Sequence, residues 1–155
     1  MGHMAEPIRV SATEREVALD EVRAVVASAR DAGYRERLEA VAAALEAGEV
    51  DDGQAEQLEP IVSLGLQSGR IRSVYGPGGE QAALRLYRKL PGGRAVQASA
   101  EEVGTALSSL RGRTLDSIAI QPAGPGAFTV ALSADGIQLS VRLDRQGARL
   151  HSVEA

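Results

Sequence analysis

"FTVALSADGIQLSVRL", residues 128–143, is the stretch on which the fold turns. Phe128, Val130 and Leu132 alternate with small or polar residues, and Ile137, Leu139, Val141 and Leu143 do so again. A period of two is the signature of a strand with one buried face. Between the runs stands Asp135-Gly136, suited to a type I′ turn because both central residues need positive φ. A two-residue turn there sets Leu132 opposite Leu139, Val130 opposite Val141 and Phe128 opposite Leu143. All three pairs share a face, and a slip of one residue would turn the whole set outward, so turn and pattern fix one register.

Outward from the hairpin, "DRQG" (144–147) is a second turn signal leading to a strand through Leu150, and Ile118 and Ile120 alternate in a strand upstream. A four-residue loop at 144–147 places Arg142 opposite Arg149, with His151 nearby on the same face. Like charges across a strand pair are unfavourable, so this register needs an anion or an acidic side chain between them; otherwise the register is shifted. Arg142, Arg149 and His151 therefore form one candidate contact for an anion or an acidic partner.

The upstream part reads as helices. Thr13 and Glu16 have capping-box spacing, and Leu19, Val22, Val26 and Ala29 recur at helical intervals up to the "DAG" at 31–33. Tyr34, Leu38, Val41 and Leu45 stripe a second helix that stops at Gly48. Asp51 and Gln54 cap a third running to Gly65 or Gly69, with a kink or restart expected at Pro60. "RIRSVY" (70–75) reads as a short strand or extended connector. A fourth helix carries Ala83, Leu86, Tyr87 and Leu90 on one face and Arg85, Arg88 and Lys89 on the other, and Pro91 ends it. Ser99 and Glu102 have the spacing to cap a fifth, striped by Val103, Ala106, Leu107 and Leu110 and closed at Gly112.

Strands after helices, joined by short turns, give an α+β chain: about three helices, two more, then an antiparallel meander of three to four strands. "MGHM" (1–4) reads as an expression-tag remnant, which sets His3 aside. Residues 5–69 form an acidic helical segment and 70–155 an α+β segment, with the option that both share one domain. With 155 residues, 44% of them hydrophobic and 25% charged, the chain is an ordinary globular one. It has no cysteine, which excludes disulfides, thiolate metal sites and cysteine nucleophiles. No run is long and apolar enough for a membrane span, and no signal-peptide stretch is apparent, so a cytoplasmic protein is expected. One lysine among 17 cations points to a GC-rich bacterial genome.

The charge is unevenly placed. Residues 1–69 sum to −8, 70–113 to +5 and 114–155 to −1. The basic middle either pairs with the acidic helices or meets an anionic partner. Its strongest chemical motif is "GPGGEQ" (76–81), glycines before a helix start, where free N–H groups favour anions. Glu80 and Gln81 stand where a nucleotide loop needs lysine or a third glycine, so the loop is read as a helix start. No Ser-centred nucleophile elbow, metal-ligand cluster or two-carboxylate site is legible, and no catalytic residue, cofactor or metal is assigned. The expectation is a non-enzymatic interaction or regulatory module that binds another protein or itself. The alternative is nucleic-acid or polyanion binding through 70–113, with Arg85, Arg88 and Lys89 as contacts.

Overall fold

The computed structural model describes residues 5–155; the tag-remnant reading of 1–4 lies outside them. Helices α1 (Ala12–Ser28), α2 (Ala32–Ala47), α3 (Asp52–Gln67), α4 (Arg70–Lys89) and α5 (Pro91–Ser108) precede strands β3 (Leu115–Gly124), β4 (Ala127–Ala134), β5 (Ile137–Asp144) and β6 (Gly147–Glu154). Two-residue strands β1 (Ile8–Arg9) and β2 (Glu49–Val50) pair with each other, a small sheet the sequence reading did not include. The α+β order with a C-terminal meander is as expected.

The chain divides into two compact units at Arg94/Ala95, within α5. The first unit takes in α4, so the basic helix belongs with the acidic ones. Its core is aliphatic: Val22, Leu38, Leu45, Val50, Leu58, Leu86 and Leu90 are fully buried. Each such side chain contributes about 1.5–3 kcal/mol over its exposed state, and Tyr34, Tyr75 and Tyr87 pack half-buried against them.

Several helix ends differ from expectation. The box capping α1 is Ser11 with Glu14, not Thr13 with Glu16. That rotates the buried stripe to Glu14, Val17, Ala18, Glu21 and Val22. Asp51 and Gln54 do cap α3, which continues through Pro60 to Gln67 with the proline exposed. "RIRSVY" is helical: Ile71 is buried, and a Cβ on Gly65 would lie 2.7 Å from its Cδ1, so α3 and α4 meet where only glycine fits. Gly76 interrupts α4 with φ 73° and ψ −174°, and Pro77 opens the second helical piece.

Pro91 does not merely end α4; it opens α5 after the single residue Leu90, and Ser99 lies inside α5 instead of capping it. Proline at the first helical position loses nothing, because its missing N–H would have been free. The next N–H, that of Gly92, donates to Glu59 Oε2 of α3 at 2.9 Å. A Cβ on Gly92 would lie 1.9 Å from Glu59 Oε1, and one on Gly93 1.8 Å from the Tyr87 carbonyl oxygen. The glycine pair that reads as a loop is thus a closely packed first turn.

In the second unit the strands run in order β3-β4-β5-β6, all antiparallel. Leu132 faces Leu139, Val130 faces Val141 and Phe128 faces Leu143, as the hairpin reading requires. Asp135 and Gly136 take φ 47° and 82°, the positive angles of the expected turn. On the apolar face Val103 of α5 packs with Leu139 and Val141, and Ala106, Leu132, Ala148 and Leu150 surround them.

Candidate functional site

Burying an acid normally demands a partner, and both buried acids of α1 have one in α4. Glu14, 2% exposed, receives Lys89 Nζ at 2.8 Å and has Arg85 Nε at 4.0 Å. Glu14 also accepts the Ser11 backbone N–H at 3.0 Å, and Lys89 donates to the Arg9 carbonyl at 3.1 Å. Seven residues along, Glu21 is 5% exposed and accepts from Arg70 Nε at 3.2 Å and the Tyr75 hydroxyl at 3.1 Å. Burial, reinforced by the hydrogen bond and negative charge of Glu21, pushes the Tyr75 phenol up to about 12. The acidic and basic segments therefore meet inside one unit through two buried carboxylates. Arg88, the third cation of the expected stripe, makes no side-chain hydrogen bond or ion pair among the described residues.

Near Gly76 the Arg72 guanidinium donates to Glu80 at 3.3 Å, across the kink. A Cβ on Gly79 would lie 2.2 Å from that of Tyr75. Gly76 supplies the backbone angle and Gly79 the close approach. Glu80, in the first turn of the second helical piece, is thus paired within the chain by Arg72.

The Arg142–Arg149 opposition is real: the two are directly cross-strand in β5 and β6. Between them sits an acidic side chain, Asp144, which accepts from Arg142 Nε at 3.4 Å and from Arg149 Nη2. The Gln146 backbone N–H donates to the same carboxylate at 2.8 Å. That N–H and the two guanidiniums hold the Asp144 carboxyl below its usual range. His151 joins the arginines around a surface hollow of about 280 Å³ with Leu150. The triplet is brought together as expected, with one of its two arginine charges offset from within.

A larger groove of about 530 Å³ was not foreseen. Ala24, Val25 and Ser28 of α1, Tyr34 of α2 and Pro60, Ile61, Leu64 and Gly65 of α3 line it, with Glu21 and Arg70 at one end. Leu64 is 67% exposed on its wall. The sequence signal was Leu64 itself: it lies three residues after Ile61 yet off the Leu58–Ile61–Val62 stripe, an apolar residue on a helix face that has no need of one. Among the described residues no group of His, Asp and Glu side chains is arranged to hold a metal, and no helix is long and apolar enough to cross a membrane. Comparison of the chain with protein-family models, with curated proteins and with solved structures finds no match, so the functional reading stands on this geometry.

Proposed function

We propose that the chain is a non-enzymatic interaction module whose helical unit binds another protein through the α1–α2–α3 groove. The observation that carries this is the groove's chemistry: an aliphatic wall with Leu64 largely in solvent, in a unit whose residues 5–94 carry 15 acids against 12 cations. A soluble surface keeps such apolar residues together where something covers them. The occupant that fits is a cationic amphipathic helix, with aliphatic side chains one turn apart seated between α1 and α3 and its basic residues drawn by the net negative charge of the helical unit. Glu21 to Ser28 and Pro60 to Ser68 each run on the order of 10 Å, enough for two turns of such a helix. Engagement of Arg85, Lys89 and Arg70 by Glu14 and Glu21 favours this reading over polyanion binding, since those cations already have partners.

The test is selection from a displayed library of helical peptides, followed by titration of the winners into the wild-type chain and Leu64→Gln. Cationic amphipathic winners that bind the variant about tenfold to a hundredfold more weakly, the worth of one buried leucine, support the groove. Winners indifferent to Leu64→Gln, or a chain that selects nothing, overturn it. Tight binding of a nucleic-acid oligomer, falling steeply with salt and lost on Arg88→Glu, would install the polyanion reading instead.

A further inference from the structure

The meander has two free edges, β3 and β6, and they are not alike. β6 carries Arg149, His151 and Glu154, the kind of charges that keep an edge from pairing with another chain. β3 has no such protection at its centre. Every residue of β3 is exposed, and Ile118 and Ile120, on one face, are 61% and 63% exposed. From Ser117 to Ala134 the chain carries no charged residue. The ladder to β4 is irregular between Leu115 and Ser117 and again between Pro122 and Gly124. Those breaks leave a regular, uncharged window from Ser117 to Gln121 with Ala119 at its middle.

We propose that this window pairs with the same window of a second copy, antiparallel and centred on Ala119, to make a two-fold dimer with one continuous eight-stranded sheet. An isologous contact must be complementary to itself. Centring on Ala119 puts Ile118 opposite Ile120 of the other copy, on the same face, and Ser117 opposite Gln121. No charge meets a like charge in this pairing, whereas self-pairing of β6 brings its charged residues into the interface. The free backbone groups of β3 gain partners, and the four isoleucines cover one another beside Val130 and Leu132, their neighbours on β4. The partner is a second copy and not a different protein because the window offers an incoming strand no charge to read, only its own pattern.

The absence of cysteine makes the register directly measurable. Opposed residues of an antiparallel pair lie about 4.5–5.5 Å apart at Cα, within disulfide reach. Ala119→Cys faces its own copy, while Gln121→Cys lies roughly 13 Å from its own, at about 3.3 Å per residue. Oxidation of the full chain should cross-link the Ala119→Cys protein and leave the Gln121→Cys dimer without a covalent link. Light scattering should give a dimer mass that reverts to monomer on dilution. Ile118→Lys, at a mostly exposed position, should keep the circular-dichroism spectrum and weaken association at least tenfold, while Leu64→Gln should leave association unchanged. A wild-type chain that stays monomeric at high concentration overturns the proposal. So does a dimer indifferent to Ile118→Lys, or cross-linking at 121 in place of 119.

Discussion

The ammonium of Lys89 lies 2.8 Å from Oε2 of Glu14, a carboxylate that is almost wholly buried at the first turn of α1. Glu14 does two jobs there. It accepts the Ser11 N–H as the third-position member of the capping box, and it neutralises cations from α4. Glu14→Ala removes both and leaves Lys89 with only the Arg9 carbonyl; it should lower unfolding free energy by about 1–3 kcal/mol. Glu14→Gln keeps the acceptor, since glutamine also completes a capping box, and should cost less. Urea titration of the two variants checks the order, and equal losses would mean that the charge alone matters.

The Glu21–Tyr75 contact makes a prediction at alkaline pH. The folded phenol titrates near 12 against an ordinary 10.0, so the folded state holds its proton more tightly than the unfolded one. The resulting stability is fully present below pH 10 and is lost as pH rises through the folded value near 12. Tyr75→Phe removes this dependence. Glu21→Gln takes away the neighbouring negative charge and should bring the phenol back down. Tyrosinate absorbance followed through an alkaline titration of the three proteins reads each change.

Asp144 gives the opposite sign. Its folded pKa is depressed, so it adds stability above its ordinary value of 3.8 that disappears as pH falls through the lower folded value. Arg149→Gln removes one guanidinium and should raise the carboxyl toward its ordinary range. The Gln146 N–H and Arg142 remain in place and should keep it from returning completely. Carboxyl-carbon NMR titration of the two proteins measures the difference, and an unmoved Asp144 would show that Arg149 adds nothing to the Gln146 N–H and Arg142.

What could be read from the sequence was what is locally encoded. The β4–β5 hairpin was legible because Asp135-Gly136 and the period-two pattern constrain the same few residues from two directions. The start of α5 was not, because Gly92-Gly93 looks like a loop until Glu59, thirty-three residues earlier, is seen to take the Gly92 N–H. "RIRSVY" carries β-branched and aromatic residues that suit strands, and burial of Ile71 against Gly65 overrides that local preference. The two buried acids were not legible: Glu14, Val17, Ala18, Glu21 and Val22 stand at i, i+3, i+4, i+7 and i+8, a helical stripe, but carboxylates stay in solvent unless paired, and their partners lie in α4, far along the chain. The candidate groove was harder still, since it is a gap between three helices and no single segment encodes it.

The glycines of "GPGG" look equivalent in sequence and are separable by experiment. Gly76 holds φ 73° and ψ −174°, a region essentially closed to other residues, with nothing within 4 Å of a Cβ built on it. Gly76→Ala should therefore destabilise by about 1–3 kcal/mol through backbone strain alone. Gly78 has no positive φ and equally open surroundings, and it stands in the first turn of the second helical piece. Gly78→Ala should stabilise by about 0.4–1 kcal/mol, because alanine has less freedom to lose on folding. Gly79→Ala meets the Tyr75 Cβ and should destabilise by steric conflict, with the Tyr75 titration displaced as the ring is pushed from Glu21. Urea midpoints for the three variants should thus move down, up and down. If Gly78→Ala instead destabilised the protein strongly while Gly76→Ala did not, the break in α4 would have to lie two residues later than Gly76.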